Sequence, residues 1–154
     1  MHLLSHQQIQ QQTAELFVHS MPFNQLLGLK LHSLTDTEAT LCFSQHPSLI
    51  GNAAQQILHG GVIASVLDVT AGLICASSVL IRQNNLTKEQ LEHRLSHIGT
   101  VDLRIDYLRP GRGESFIATA KLERAGNKVA VAHARLHNQN QDYLACATAV
   151  YLVG

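Results

Sequence analysis

GGVIASVLDVTAGLICASSVLI, residues 60–81, decides the fold, and its only charged residue is Asp68. A helix made from this stretch is apolar on every side and has to be buried all round. An ionised carboxylate inside such a helix is costly unless it is paired, hydrogen-bonded or put to use. A run this long also has the length of a bilayer span. Asp68 at its centre opposes that reading, at about 2.5–3.5 kcal/mol on an insertion scale. So do the three glycines and four Ser or Thr within the stretch. The flanking segments read as strands of a soluble protein, so the expectation is a core helix and no membrane.

On the N-terminal side, residues 5–19 (SHQQIQQQTAELFVH) suggest an amphipathic helix with Ile9, Leu16 and Phe17 on one face. Met21-Pro22 ends it, and a turn of helix over 22–27 stops at Gly28. Leu27, Leu29 and Leu31 then alternate with polar residues, as do Ala39, Leu41 and Phe43, which predicts two strands. Thr35-Asp36-Thr37 is the turn between them. Residues 46–56 read as an irregular loop leading into the central helix.

On the C-terminal side, Asn84-Asn85 breaks the pattern, and 86–95 (LTKEQLEHRL) reads as a short helix capped by Thr87. The segment 96–110 is a strand, with Val101, Leu103, Ile105 and Tyr107 on one face and Asp102, Arg104 and Asp106 on the other. Strands at 115–124, 128–136 and 143–153 complete the set, with Gly126-Asn127 at a hairpin. No crossover helices separate the last four strands, so an antiparallel meander is expected. A helix with no polar face needs a cover, and a curved sheet is the obvious one. The reading is an α+β domain, a long central helix wrapped by a curved antiparallel β-sheet. It spans 1–154, with 1–21 as an N-terminal helical extension.

The formal net charge is zero and only 14% of residues are charged, without the basic excess a nucleic-acid binder carries. A surface so short of charge suggests cover by other subunits. The ten histidines are scattered, none at zinc-ligand spacing with further ligands nearby, so no metal is expected. Cys42, Cys75 and Cys146 each lie in an apolar stretch and read as small buried hydrophobes in a reducing compartment, hence a cytoplasmic protein. The N-terminus has no basic region followed by an apolar core, so it is not a signal peptide.

His59-Gly60-Gly61 puts unpaired backbone N–H groups and the positive end of the helix dipole at one place. Glycines there either let a ligand approach the backbone closely or only allow tight entry of a helix into a sheet. The first reading suits the oxyanion of an attacked thioester or ester. Asp68 is either a buried carboxylate bonded to a neighbour such as Ser65 or Thr70, or a general base or nucleophile. Eight residues at 1.5 Å rise put it about 12 Å from Gly60 along the helix axis. One helix cannot easily join the two; two antiparallel copies can. The spacing favours a dimeric site.

LHGGVIASVLDVTAG, with the later GTVDLRIDYLRPGRGE, resembles the hotdog-fold acyl-CoA thioesterases of the PaaI type over roughly residues 22–153. The resemblance implies a sausage helix wrapped by a sheet, two active sites shared across a homodimer, and often a dimer of dimers. It implies that Asp68 is the base or nucleophile and that Gly60, with Gly61 beside it, supplies the oxyanion-binding N–H. It gives His59 a role in shaping the turn and contacting the thioester, and Thr100 a role in holding water. Relatives carry an Asn upstream of HGG. Here Asn52 lies seven residues before His59, one further than the pattern, and Gln56 replaces a Gly, so Asn52, Gln55 or Gln56 fills that role. The insert 84–95 is longer than in the smallest relatives and fits an acyl-pocket wall or a subunit contact.

Coenzyme A belongs to the implied substrate, so no separate cofactor is expected. Arg109, Arg112, Arg124 and Lys128 lie at strand ends and turns, suited to its phosphates, with Arg109-Pro110-Gly111-Arg112 the foremost cluster. Each taken singly also fits an ordinary solvated charge. The expected activity is hydrolysis of acyl-CoA, with a medium or long fatty chain suggested by the small apolar residues of the helix. The rivals are a hotdog hydratase or dehydratase, an aryl-CoA thioesterase and a noncatalytic acyl-CoA binding module.

Overall fold

A computed structural model of the chain describes residues 2–154; Met1, part of the expected N-terminal extension, lies outside them. The first helix, α1 (His6–Ala14), starts at a capping box. The Ser5 hydroxyl accepts from Gln8 N–H and the Gln8 side chain accepts from Ser5 N–H. The chain continues as a π-helical turn, Glu15–His19. Helix α2 (Pro22–Leu27) has Pro at its first position and ends at Gly28, whose φ of 70° is left-handed. Leu27 closes this helix and does not belong to the following strand, a correction to the alternating pattern. The strands β1 (Lys30–Leu34) and β2 (Glu38–Ser44) pair antiparallel.

The segment 46–56, expected to be irregular, is ordered. A 3₁₀ turn, Pro47–Leu49, leads into a small hairpin of β3 (Ile50–Asn52) and β4 (Ile57–Leu58). Helix α3 covers Gly60–Ile81, the bounds read from the sequence. Helix α4 (Lys88–Leu95) is capped by Thr87, as expected. The remaining strands are β5 (Gly99–Tyr107), β6 (Ser115–Ala125), β7 (Val129–Asn138) and β8 (Tyr143–Leu152).

Six strands form one antiparallel sheet in the order β1-β2-β6-β7-β8-β5. Only β6, β7 and β8 run as a meander. β5 lies on the far edge beside β8, and residues 108–114 carry the chain back past two strand ends. That connection is tied down: Leu108 and Arg109 both donate backbone N–H to Leu144 O, and Leu58 donates to Gly111 O. These long-range bonds decide the order, and alternation within a strand does not encode them.

The inner face of the sheet is lined by small residues: Ala118 and Ala120 of β6, Ala130, Ala132 and Ala134 of β7, Ala145, Ala147 and Ala149 of β8. Their size lets α3 approach closely and fill the space with Leu67, Leu73 and Ile74, all fully buried. The sheet covers one side of α3. On the other side the C-terminal half of α3 is covered by the N-terminal segment, through Ala14, Phe17 and Val18. Although α3 is long and apolar enough to cross a bilayer, 72% of its most apolar window is buried inside the protein. This is the hotdog architecture. Of the three cysteines only Cys75, on α3, is fully buried, and its thiol is pushed from 9.0 up to about 12 by that burial. Cys42 and Cys146 fall on the outer, half-open face of the sheet, which corrects the expectation that all three are interior.

Candidate active site

At the start of α3, His59 is the N-cap, and its Nδ1 accepts from Gly61 N–H at 2.8 Å. With Nδ1 as the acceptor, the neutral ring of this tautomer has its N–H at Nε2. It also separates the two glycines. The Gly61 N–H is used by the cap, whereas Gly60 N–H donates to no acceptor among the described residues. The Tyr107 hydroxyl donates to Gly60 O at 2.9 Å from the end of β5. The turn is tight: a Cβ on Gly51 would stand 2.4 Å from the His59 Cα. Gly60 lines a depression of about 370 Å³ with Ile57, Ile63, Tyr107 and Arg109.

The upstream amides serve the β3–β4 turn. Asn52 Oδ1 accepts from Gln55 N–H at 3.1 Å, and Gln56 Nε2 donates to Ala53 O at 2.7 Å. Gln56 takes φ 53°, the left-handed region a glycine would enter without a Cβ penalty. That explains why a Gly suits this position in the pattern that Gln56 departs from. Within one chain none of these amides hydrogen-bonds to Gly60 or Asp68.

Asp68 sits two turns into α3, half-buried. The neighbours proposed for it on the same helix are otherwise engaged: the Ser65 hydroxyl donates to Gly61 O and that of Thr70 to Val66 O. Its partners come from the sheet. Thr100 Oγ1 donates to Asp68 Oδ1 at 2.9 Å, and the Tyr151 hydroxyl reaches both Oδ1 and the main-chain O of Asp68. No histidine is among them.

Thr100 reaches Asp68 because of a bulge. The β5–β8 register runs Thr100↔Tyr151 and then Asp102↔Val150, so Val101 is an extra residue. Simple alternation puts Thr100 on the outer face with Asp102 and Arg104. The bulge turns it inward, beside Tyr151 and above Asp68. The same step expels Val101, which is 63% exposed instead of facing inward with Leu103 and Ile105. Tyr151 was not singled out in the sequence. The signal that could have found it is Gly72, one helical turn after Asp68. A Cβ there would lie 2.8 Å from both the Tyr151 and Phe17 rings.

The four cations expected for phosphate do not converge. Arg109 donates Nη1 to Tyr143 O at 2.8 Å, and Arg112 is spent on Gln55, donating to its main-chain O and its Oε1 at 2.9 Å each. Arg124 and Lys128 lie at the other end of β6, roughly 30 Å away at 3.3 Å per residue. One chain therefore brings Gly60 and Arg109 together in one depression, and Asp68, Thr100 and Tyr151 together in another place.

A half-buried carboxylate on the central helix of a hotdog fold, with a free backbone N–H at that helix's start, points to acyl-transfer chemistry, and the chain belongs to the Thioesterase superfamily, whose profile matches residues 55–145. It is 54% identical over 152 residues to the medium/long-chain acyl-CoA thioesterase YigI of Escherichia coli K12, covering 99% of this chain and 98% of that protein. A Shewanella oneidensis protein related to the thioesterase superfamily superposes with a TM-score of 0.90 at 42% identity, covering 97% of each chain. E. coli PaaI, from the phenylacetic acid degradation operon, shares the fold with a TM-score of 0.78 at 21% identity, covering 97% of this chain and 96% of that one.

Proposed function

We propose that this chain hydrolyses medium- and long-chain acyl-CoA to the free acid and CoA, at sites made by two subunits. Near-full-length similarity to a medium/long-chain acyl-CoA thioesterase supports the substrate class. The observation that carries the chemistry is Asp68, the one charge of α3, held by two hydroxyls and left half-open. In one route the carboxylate takes a proton from water as the water oxygen attacks the thioester carbonyl. In the other it attacks directly, and water then hydrolyses the mixed anhydride. Both routes pass through a tetrahedral oxyanion, which the unpaired Gly60 N–H of the second subunit stabilises. Collapse breaks the C–S bond and releases CoA thiolate, which takes up a proton. Arg109, on the rim of the depression that holds Gly60, is the cation assigned to the CoA phosphates. No cofactor enters either route, since CoA belongs to the substrate.

The dimer is supported by what one chain leaves open. Along α3, Gly61, Ala64, Ser65, Asp68 and Val69 form the uncovered stripe, small enough to admit a second helix closely. β5 is an edge strand with Val101 and Tyr107 exposed at 63% and 54%, and Leu108 just past its end at 48%, and such edges pair with another chain. Its first residues touch Asp68 and its last touches Gly60. Antiparallel pairing of two such strands therefore sets the Asp68 end of one subunit beside the Gly60 end of the other. Two dimers then assemble in a cytoplasmic tetramer.

Hydrolysis of a chain-length series of acyl-CoAs, read by free thiol, tests the proposal. The wild type turns over the medium and long chains, and Asp68→Asn loses about 10²–10⁴-fold in kcat, the usual contribution of a positioned acid–base group. Equal rates in the two proteins contradict it. Tight binding without thiol release from the wild type would indicate a binding module.

A further inference from the structure

Two hydroxyls converge on a single oxygen of the Asp68 carboxylate, which is more than solvation of a half-open acid requires. Thr100 Oγ1 and the Tyr151 phenol both donate to Oδ1. Oδ2 accepts no hydrogen bond among the described residues and is not among their buried unpartnered atoms, so it stays accessible. The terminal torsion of an Asp side chain is broad and two-fold, so an untethered carboxylate swings. Two donors on one oxygen stop that swing and present the other oxygen in a fixed direction.

We propose that Tyr151 is a positioning residue which, with Thr100, pins Asp68 Oδ1 and makes Oδ2 the reacting oxygen. The surroundings of Tyr151 fit that task. It is 2% exposed and stands between β5 and β7 in the sheet, paired with Thr100 on one side and Ala130 on the other. Its ring lies over Gly72, in space that any side chain on that helical turn would fill. Burial first, and then the bond to Asp68, push its ionisation upward, so the phenol keeps its hydrogen and stays a donor at neutral pH. Its one hydrogen is shared between Oδ1 and the main-chain O of Asp68, locking side chain and helix backbone together. Thr100 completes the clamp only because the Val101 bulge turns it inward.

The inference rests on the reading of Asp68 as the base or nucleophile, and the test separates the two. Tyr151→Phe keeps the ring and removes only the hydroxyl. Its steady-state hydrolysis of a long-chain acyl-CoA is measured beside wild type and Asp68→Asn. The expected result is a kcat about 10–100-fold below wild type, the scale of a small misplacement in an active site, with KM within about twofold. A merely structural phenol lowers the melting temperature and leaves kcat alone. Wild-type kcat in Tyr151→Phe, with Asp68→Asn inactive, overturns the positioning role and leaves the proposed function standing. Full activity in Asp68→Asn overturns both. Should Tyr151→Phe fail to fold, the exposed Thr100 carries the test. Thr100→Val lowers kcat and Thr100→Ser, which restores a hydroxyl, recovers it; equal rates for the two overturn the clamp.

Discussion

The two halves of α3 are made of similar residues and do different work. From Thr70 to Leu80 every residue is buried, against the alanine-lined sheet on one side and the N-terminal segment on the other. From Gly60 to Val69 the helix is buried only in part, and Gly61, Ala64, Ser65, Asp68 and Val69 stay open along one stripe. The C-terminal half is finished within one chain, and the N-terminal half, which carries the charge and the free N–H, is not. Hydrophobicity alone specifies the first kind of surface. The second stays open within one chain, and in the proposed dimer its small side chains let a second helix come close.

After Asp68→Asn, removing one N–H from the open half gives the next largest effect that spares the fold. Gly60 is the first residue of α3, where proline is tolerated, and His59 at φ −61°, ψ 136° already has a backbone suited to precede one. Gly60→Pro is expected to lower kcat by about 10²–10³-fold, the cost of losing one oxyanion donor, with little change in melting temperature. Gly60→Ala keeps the donor, and its Cβ meets the Tyr107 ring at an ordinary 3.5 Å, so its loss is far smaller. Similar losses in both variants would show that shape matters at Gly60 and its N–H does not.

At the boundary between the halves the expected sign is unusual. Alanine is favoured over glycine inside a helix by about 1 kcal/mol. Gly72→Ala is nevertheless expected to destabilise by about 1–3 kcal/mol through overpacking, because the new methyl meets the Phe17 and Tyr151 rings at 2.8 Å. A denaturation midpoint checks it. A stabilised Gly72→Ala would mean that the rings move aside freely, and the fixed seat of Tyr151 would be lost with them.

What was legible in the sequence follows the same division. The bounds of α3, the Thr87 cap and the stop at Gly28 were all visible because each depends on residues close in the chain. Asp68 was visible as an exception to its own surroundings. Of its partners, Thr100 is reached only through the family resemblance and Tyr151 not at all, since they lie 32 and 83 residues away and Thr100 is turned inward by a bulge that an alternating pattern cannot contain. The edge position of β5 and the separation of Arg109 and Arg112 from Arg124 and Lys128 depend on sheet order, which long-range hydrogen bonds decide. Gly72 was a readable trace of Tyr151, a gap left in a helix for a ring arriving from elsewhere.

The claim that each site takes Asp68 from one subunit and Gly60 from the other is tested most directly by mixing. Asp68→Asn and Gly60→Pro, each inactive alone, are unfolded together, refolded and assayed. In a two-fold dimer the mixed species has one site with both defects and one with neither, so random pairing returns about a quarter of wild-type activity. Recovery near that level is the predicted result. A mixture as inactive as its components, although mixed dimers have formed, would place both groups of each site in one chain and contradict the account.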